Sequence, residues 1–171
     1  MRKTFNVAVF VILIGVLFFP QTNVKASDFF EKDVYQSILN TEDNDDIKLV
    51  YNIDGSTDVI VTHLSKTETV LIDDRSYNTK TAEKAWYHVE GVDFTCKAKL
   101  VATFLYDGSS ASCIASNDSY EVYDPDWYLY SSSSGRSGNS AYSGFVFKQY
   151  STGKQEAGSL SISCSGNGTI Y

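Results

Sequence analysis

One stretch of thirteen residues constrains the fold more than any other part of the chain. From Phe94 to Tyr106, every second residue is apolar: Phe94, Cys96, Ala98, Leu100, Ala102, Phe104 and Tyr106. A period of two places all seven side chains on one face of an extended strand. Asp107-Gly108 follows at once. That pair is the turn chemistry of a two-residue β-hairpin, whose central positions need positive φ. In that register Tyr106 faces Ser109 and Ala102 faces Cys113.

The same reading extends in both directions. Short β-branched or aromatic runs lie at Ile47–Tyr51, Asp58–Leu64 and Glu68–Ile72, and again near Ser109–Ser116, Tyr120–Tyr123, Trp127–Ser132, Ala141–Tyr150 and Ser159–Cys164. Turn-forming segments separate them, among them Asp54-Gly55-Ser56 and Asp124-Pro125-Asp126, with Ser133 to Asn139 reading as a flexible loop. Strands at this spacing predict an all-β chain, an antiparallel β-sandwich (immunoglobulin-like or similar) over residues 47–171. Residues 75–90 are ambiguous between a helical turn at Thr81–Ala85 and a loop leading into a strand at Trp86–Val89.

The N-terminus sets the compartment. Arg2 and Lys3 precede a thirteen-residue apolar run, Val7 to Phe19, and Val24-Lys25-Ala26 suits signal-peptidase cleavage. The run is shorter than the ~18–20 residues that span a bilayer. Residues 1–26 therefore read as a signal peptide, and the expected location is secreted, extracellular. Residues 27–46 read as a short helix and an acidic linker: Phe30, Val34 and Ile38 share a helical face, Asp28 with Glu31 makes a capping pair, and Thr41 to Asp46 is acidic.

Charge narrows the partners. Of 14 basic residues, Arg2, Lys3 and Lys25 lie in the signal, so eleven remain against 21 acidic ones. Such a surface repels phosphate backbones and anionic headgroups, so neither nucleic-acid binding nor membrane insertion is expected.

Three cysteines in an exported chain suggest one disulfide and one spare thiol. Cys96 lies six residues down its strand from Ala102, about 20 Å at ~3.4 Å per residue, too far to reach Cys113. An up-and-down path returns Cys164 to the end that holds Cys113. Cys113–Cys164 is preferred over Cys96–Cys164 and over no bridge.

Candidate chemistry is sparse. With only His63 and His88, neither a thiol enzyme nor a zinc site is expected, and Asp43 to Ile47 departs from the calcium-loop pattern at its fifth position. No cofactor and no metal are expected. Glu121, Asp124 and Asp126 supply carboxylates for a glycan or cell-wall hydrolase, but a proline turn whose acids start the next strand is the preferred account of them. The aromatics are the better lead. In Trp127-Tyr128-Leu129-Tyr130, alternation sends Trp127 and Leu129 inward and Tyr128 and Tyr130 outward, with Tyr120, Tyr123, Tyr142 and Tyr150 available to join them. The candidate binding residues are Tyr128, Tyr130, Tyr123 and Tyr142, facing an extracellular glycan or protein surface.

The segments KLVATFLYDGSSASC, Trp127 after YDPD, SSSSGRSGNSAYSG and LSISCSGNGTI resemble a group of small exported proteins of Gram-positive bacteria. The resemblance implies a β-sandwich-like C-terminal domain and carries over no catalytic residues. The expected function is a non-enzymatic extracellular binding or interaction module. A secreted toxin or bacteriocin-like effector is the second reading and a hydrolase the third.

Overall fold

A computed structural model describes residues 46–72 and 75–171. The expected signal peptide, the expected helix at Asp28–Leu39 and all of the expected acidic linker but Asp46 lie outside the described residues.

The described chain is all-β and antiparallel. Nine strands follow in order: β1 (Asp46–Tyr51), β2 (Thr57–Leu64), β3 (Glu68–Ile72), β4 (Arg75–Glu90), β5 (Asp93–Tyr106), β6 (Ala111–Val122), β7 (Trp127–Ser137), β8 (Ser140–Gln149) and β9 (Gln155–Ser163). One sheet runs β1-β2-β4-β5-β6 with β3 paired to β4, and a three-stranded sheet runs β7-β8-β9. Every pair is antiparallel between near neighbours, an up-and-down order rather than the Greek key of immunoglobulin domains.

The two sheets are sandwich-like, sharing one apolar core. Ala82 and Trp86 of β4 and the buried side of β5 (Cys96, Ala98, Leu100, Ala102, Phe104, Tyr106) meet Ala141, Phe145 and Phe147 of β8 and Leu160 and Ile162 of β9. Trp86 anchors the contact, with its ring 4.8 Å from Phe145 and 5.9 Å from Phe147. Gly158 stands where a Cβ would come within 2.6 Å of the Phe145 ring, so the missing side chain leaves room for the end of that ring against β9.

Several sequence expectations change here. Residues 75–90 form a single long strand, because β4 is paired by β2 and β3 on one edge and by β5 on the other. Ladder bonds along both edges override the helical preference of Ala82-Glu83-Lys84-Ala85. Ser133 to Asn139 is not a loop: β7 continues to Ser137, and Gly138-Asn139, with φ of 56° at Gly138, makes the turn. The two expected strands at Ser109–Ser116 and Tyr120–Tyr123 are one strand, β6.

The Asp107-Gly108 hairpin is also looser than expected. Asp107 N donates to Ser110 O (3.2 Å), and the Asp107 carboxylate accepts from the amides of Ser110 (2.8 Å) and Ser109 (2.9 Å). Tyr106 consequently pairs with Ala111 and Phe104 with Cys113, and a bulge beyond them leaves Ile114 extra and pairs Thr103 with Ala115. A turn closed by side-chain hydrogen bonds holds four residues where two were expected.

Candidate functional site

Three of the four candidate tyrosines share one surface, the outer face of the three-stranded sheet. Phe145 and Phe147 of β8 point into the core, so Tyr142, Val146 and Lys148 point away from it. Across the ladder Tyr128 pairs with Lys148, and Gly135 with Tyr142. The register shifts between Leu129 and Ser131, leaving Tyr130 as an unpaired bulge residue. Tyr130 is 60% exposed and Tyr142 50%. The Tyr128 and Tyr150 rings stack at 4.3 Å, and Lys148 Nζ lies 5.5 Å from the Tyr130 ring. The hydroxyl end of Tyr142 lies over Gly135, where a Cβ would come within 2.5 Å of the hydroxyl oxygen and 2.8 Å of the ring. Beneath, Trp127 is buried and Leu129 packs against the core, as alternation requires.

Two tyrosines do not join this face. Tyr120 turns inward: its hydroxyl is 2.9 Å from Ser143 Oγ, and its ring stands edge-on to Phe145 and Phe147. Tyr123 follows β6 in the other sheet, where its hydroxyl donates to Glu121 Oε2 at 2.8 Å. Desolvation, reinforced by that carboxylate, pushes the Tyr123 hydroxyl up to about 12.

The three acids offered for hydrolysis hold turns and strands together. Glu121 accepts from Tyr123 and pairs with Lys97 Nζ at 3.3 Å, which keeps its carboxyl below the ordinary range. Asp124 accepts from Asp126 N at 2.9 Å. Asp126 accepts from Ser151 N at 3.0 Å and from the Ser151 hydroxyl, tying the β6–β7 turn to the β8–β9 turn.

The expected disulfide is absent. Cys96, Cys113 and Cys164 are all buried free thiols. Cys113 N donates to Gly138 O and Cys164 N to Asn139 O, so both cysteines do sit at the β7–β8 turn. Their sulfurs are directed elsewhere: Cys113 Sγ donates to Ala115 O and Cys164 Sγ to Ser165 O, each at 3.3 Å. Burial pushes the Cys113 and Cys164 thiols up, and Cys96 up to about 12. Such thiols are poor nucleophiles.

One cluster escaped the sequence reading. His88 is fully buried, with Nδ1 2.8 Å from Asp58 Oδ1. A carboxylate only accepts, so the proton of that bond sits on Nδ1. Nε2 has no hydrogen-bond partner and lies 3.8 Å from Glu90 and 3.9 Å from Glu156. Lys154 gathers Asp54 (2.7 Å), Glu90 (2.8 Å) and Glu156 (3.2 Å), with its Nζ 5.6 Å from the Trp127 ring. Burial opposes the Lys154 charge, but the three carboxylates outweigh it and hold its pKa above the ordinary value. Lys154, with the Ser56 hydroxyl and amide, holds Asp54 well below the carboxylate range. These groups come from four separate segments, each of which reads alone as a turn or strand end. Fully buried and with no nucleophile bonded to it, His88 is placed to join strands rather than to meet a substrate. Among the described residues, no group of three or more His, Cys, Asp or Glu side chains is arranged to hold a metal ion.

No protein-family model matches the sequence, and no curated protein matches it. Among solved structures, the chain is similar to the hypothetical protein lmo2686 from Listeria monocytogenes EGD-e, at 17% identity and a TM-score of 0.41, over 77% of this chain and 98% of that one.

Proposed function

We propose that the chain is a secreted, non-enzymatic interaction module that meets an extracellular surface through the outer face of β7 and β8. One observation carries this reading. The Tyr128–Tyr150 stack, Tyr130 on its bulge and Tyr142 over Gly135 leave four rings on one side of a three-stranded sheet whose other side is core. Rings presented this way offer large contact area at little cost in side-chain entropy. The leading basic and apolar segment supports export. The hydrolase reading gains nothing, since Glu121, Asp124 and Asp126 are each engaged in local hydrogen bonds.

The test is retention of the purified protein on whole cells, isolated cell wall and host glycans. Wild type is retained on at least one of these, and on that surface the Tyr128→Ala, Tyr130→Ala double variant is retained about tenfold less. Loss of the Tyr128–Tyr150 stack costs the variant only ~0.5–1.5 kcal/mol, so it stays folded. A folded double variant retained as well as wild type contradicts the reading.

A further inference from the structure

A second aromatic site lies on the other sheet, and a backbone irregularity builds it. Between β4 and β5, His88 pairs with Cys96 but Val89 pairs with Phe94, which leaves Thr95 as an extra residue. The bulge is well fastened. Thr95 is buried, its hydroxyl donates to His88 O at 3.2 Å, and its carbonyl accepts from Tyr123 N at 2.9 Å and Asp124 N at 3.3 Å. Plain alternation sends Phe94 into the core behind Cys96. The bulge instead re-aims it to the opposite face, as bulges beside binding sites commonly do.

Phe94 thereby joins Tyr87, at 5.4 Å between ring centroids, and Tyr123, at 6.4 Å. A row of register-paired residues, Tyr87, Lys97 and Glu121, crosses β4, β5 and β6 beside them. Lys97 Nζ lies 5.3 Å from the Tyr87 centroid and 3.3 Å from Glu121 Oε1, while Glu121 Oε2 accepts from Tyr123. Tyr123 is 48% exposed and the Glu121 side chain 49%, whereas the Lys97 side chain is 16% exposed and Tyr87 and Phe94 are half-buried, so the arc meets solvent along its Tyr123–Glu121 edge.

We infer that this arc binds an uncharged glycan. Ring faces stack on the C–H face of a pyranose, and Lys97, Glu121 and the Tyr123 hydroxyl supply donors and acceptors at hydroxyl spacing. The one cation and one anion are paired, so the site selects for no net charge. The acidic chain as a whole disfavours anionic polymers. The inference does not depend on the tyrosine face of the three-stranded sheet, which lies on other strands.

Native affinity electrophoresis tests it, with hydroxyethyl cellulose, a soluble β-1,3-glucan, galactomannan and dextran in the gel, and polygalacturonate as the anionic control. At least one neutral polymer retards the wild-type protein and polygalacturonate does not. Tyr123→Ala and Glu121→Gln each weaken that retardation about tenfold. Circular dichroism confirms the fold, and Glu121→Gln, at an exposed position, carries the test should Tyr123→Ala unfold. Three results overturn the inference: no retardation by any neutral polymer, equal retardation by polygalacturonate, or undiminished retardation of the folded Glu121→Gln protein.

Discussion

Replacing Trp127 probes the packing beneath the tyrosine face and the polar cluster beside it together. The ring is 2% exposed, opens β7, meets His88 edge-on at 5.5 Å and lies under Lys154. Truncating a buried Trp to Ala costs about 3–5 kcal/mol in transfer and cavity terms. Its indole Nε1, however, is buried without a hydrogen-bond partner, a burden of about 1–3 kcal/mol that truncation removes. Trp127→Ala therefore falls at the low end, near 3 kcal/mol. Trp127→Phe keeps most of the apolar ring, sheds the orphan N–H and leaves a smaller cavity, so its net loss is under about 1 kcal/mol. Urea titrations followed by circular dichroism and by the remaining Trp86 fluorescence measure both, with an unchanged slope showing that the unfolded states compare fairly. A Phe variant as unstable as the Ala variant refutes the reasoning, because the indole N–H then contributes a favourable bond.

Two further expectations follow from the polar and thiol chemistry. The folded-state pKa of Asp54 is depressed, so its pairing with Lys154 stabilises the fold above the ordinary carboxylate pKa near 4 and is lost as pH falls below it; Asp54→Asn flattens the acid limb of a stability-versus-pH curve, and an unaltered limb contradicts the assignment. Alkylation of the unreduced protein in denaturant, read by mass spectrometry, modifies Cys96, Cys113 and Cys164, whereas the native protein reacts slowly because all three are buried; a Cys113–Cys164 peptide in the non-reducing map contradicts the free-thiol arrangement.

Much of the strand pattern was legible because burial on one face writes itself as alternation. Cys96 to Tyr106, Trp127 with Leu129, and the buried positions of β2 follow it closely. Bulges were not legible. Those at Thr95, after Thr103 and at Tyr130 each reverse the inside–outside parity of one strand without any Gly or Pro to mark them. For that reason Phe94 leaves the core face that alternation gives it, whereas Cys113 meets Phe104 instead of Ala102 because the turn holds four residues. At Tyr130, where parity already pointed outward, the bulge left the expectation intact. The sixteen residues of β4 read ambiguously because its identity comes from the partners on both edges rather than from local preference. The His88–Lys154 cluster was invisible for a related reason: Asp54, Asp58, Glu90 and Glu156 become neighbours only once β2, β4 and β9 are assembled.

Tyrosine footprinting tests the binding face most directly. The protein is nitrated with tetranitromethane free and while retained on whichever surface captures it, and modified peptides are quantified by mass spectrometry. Contact through β7 and β8 protects Tyr128, Tyr130, Tyr142 and Tyr150 in the retained protein, while Tyr171, 68% exposed, reacts equally in both. Undiminished nitration of Tyr130 and Tyr142 in the retained protein contradicts the proposed face.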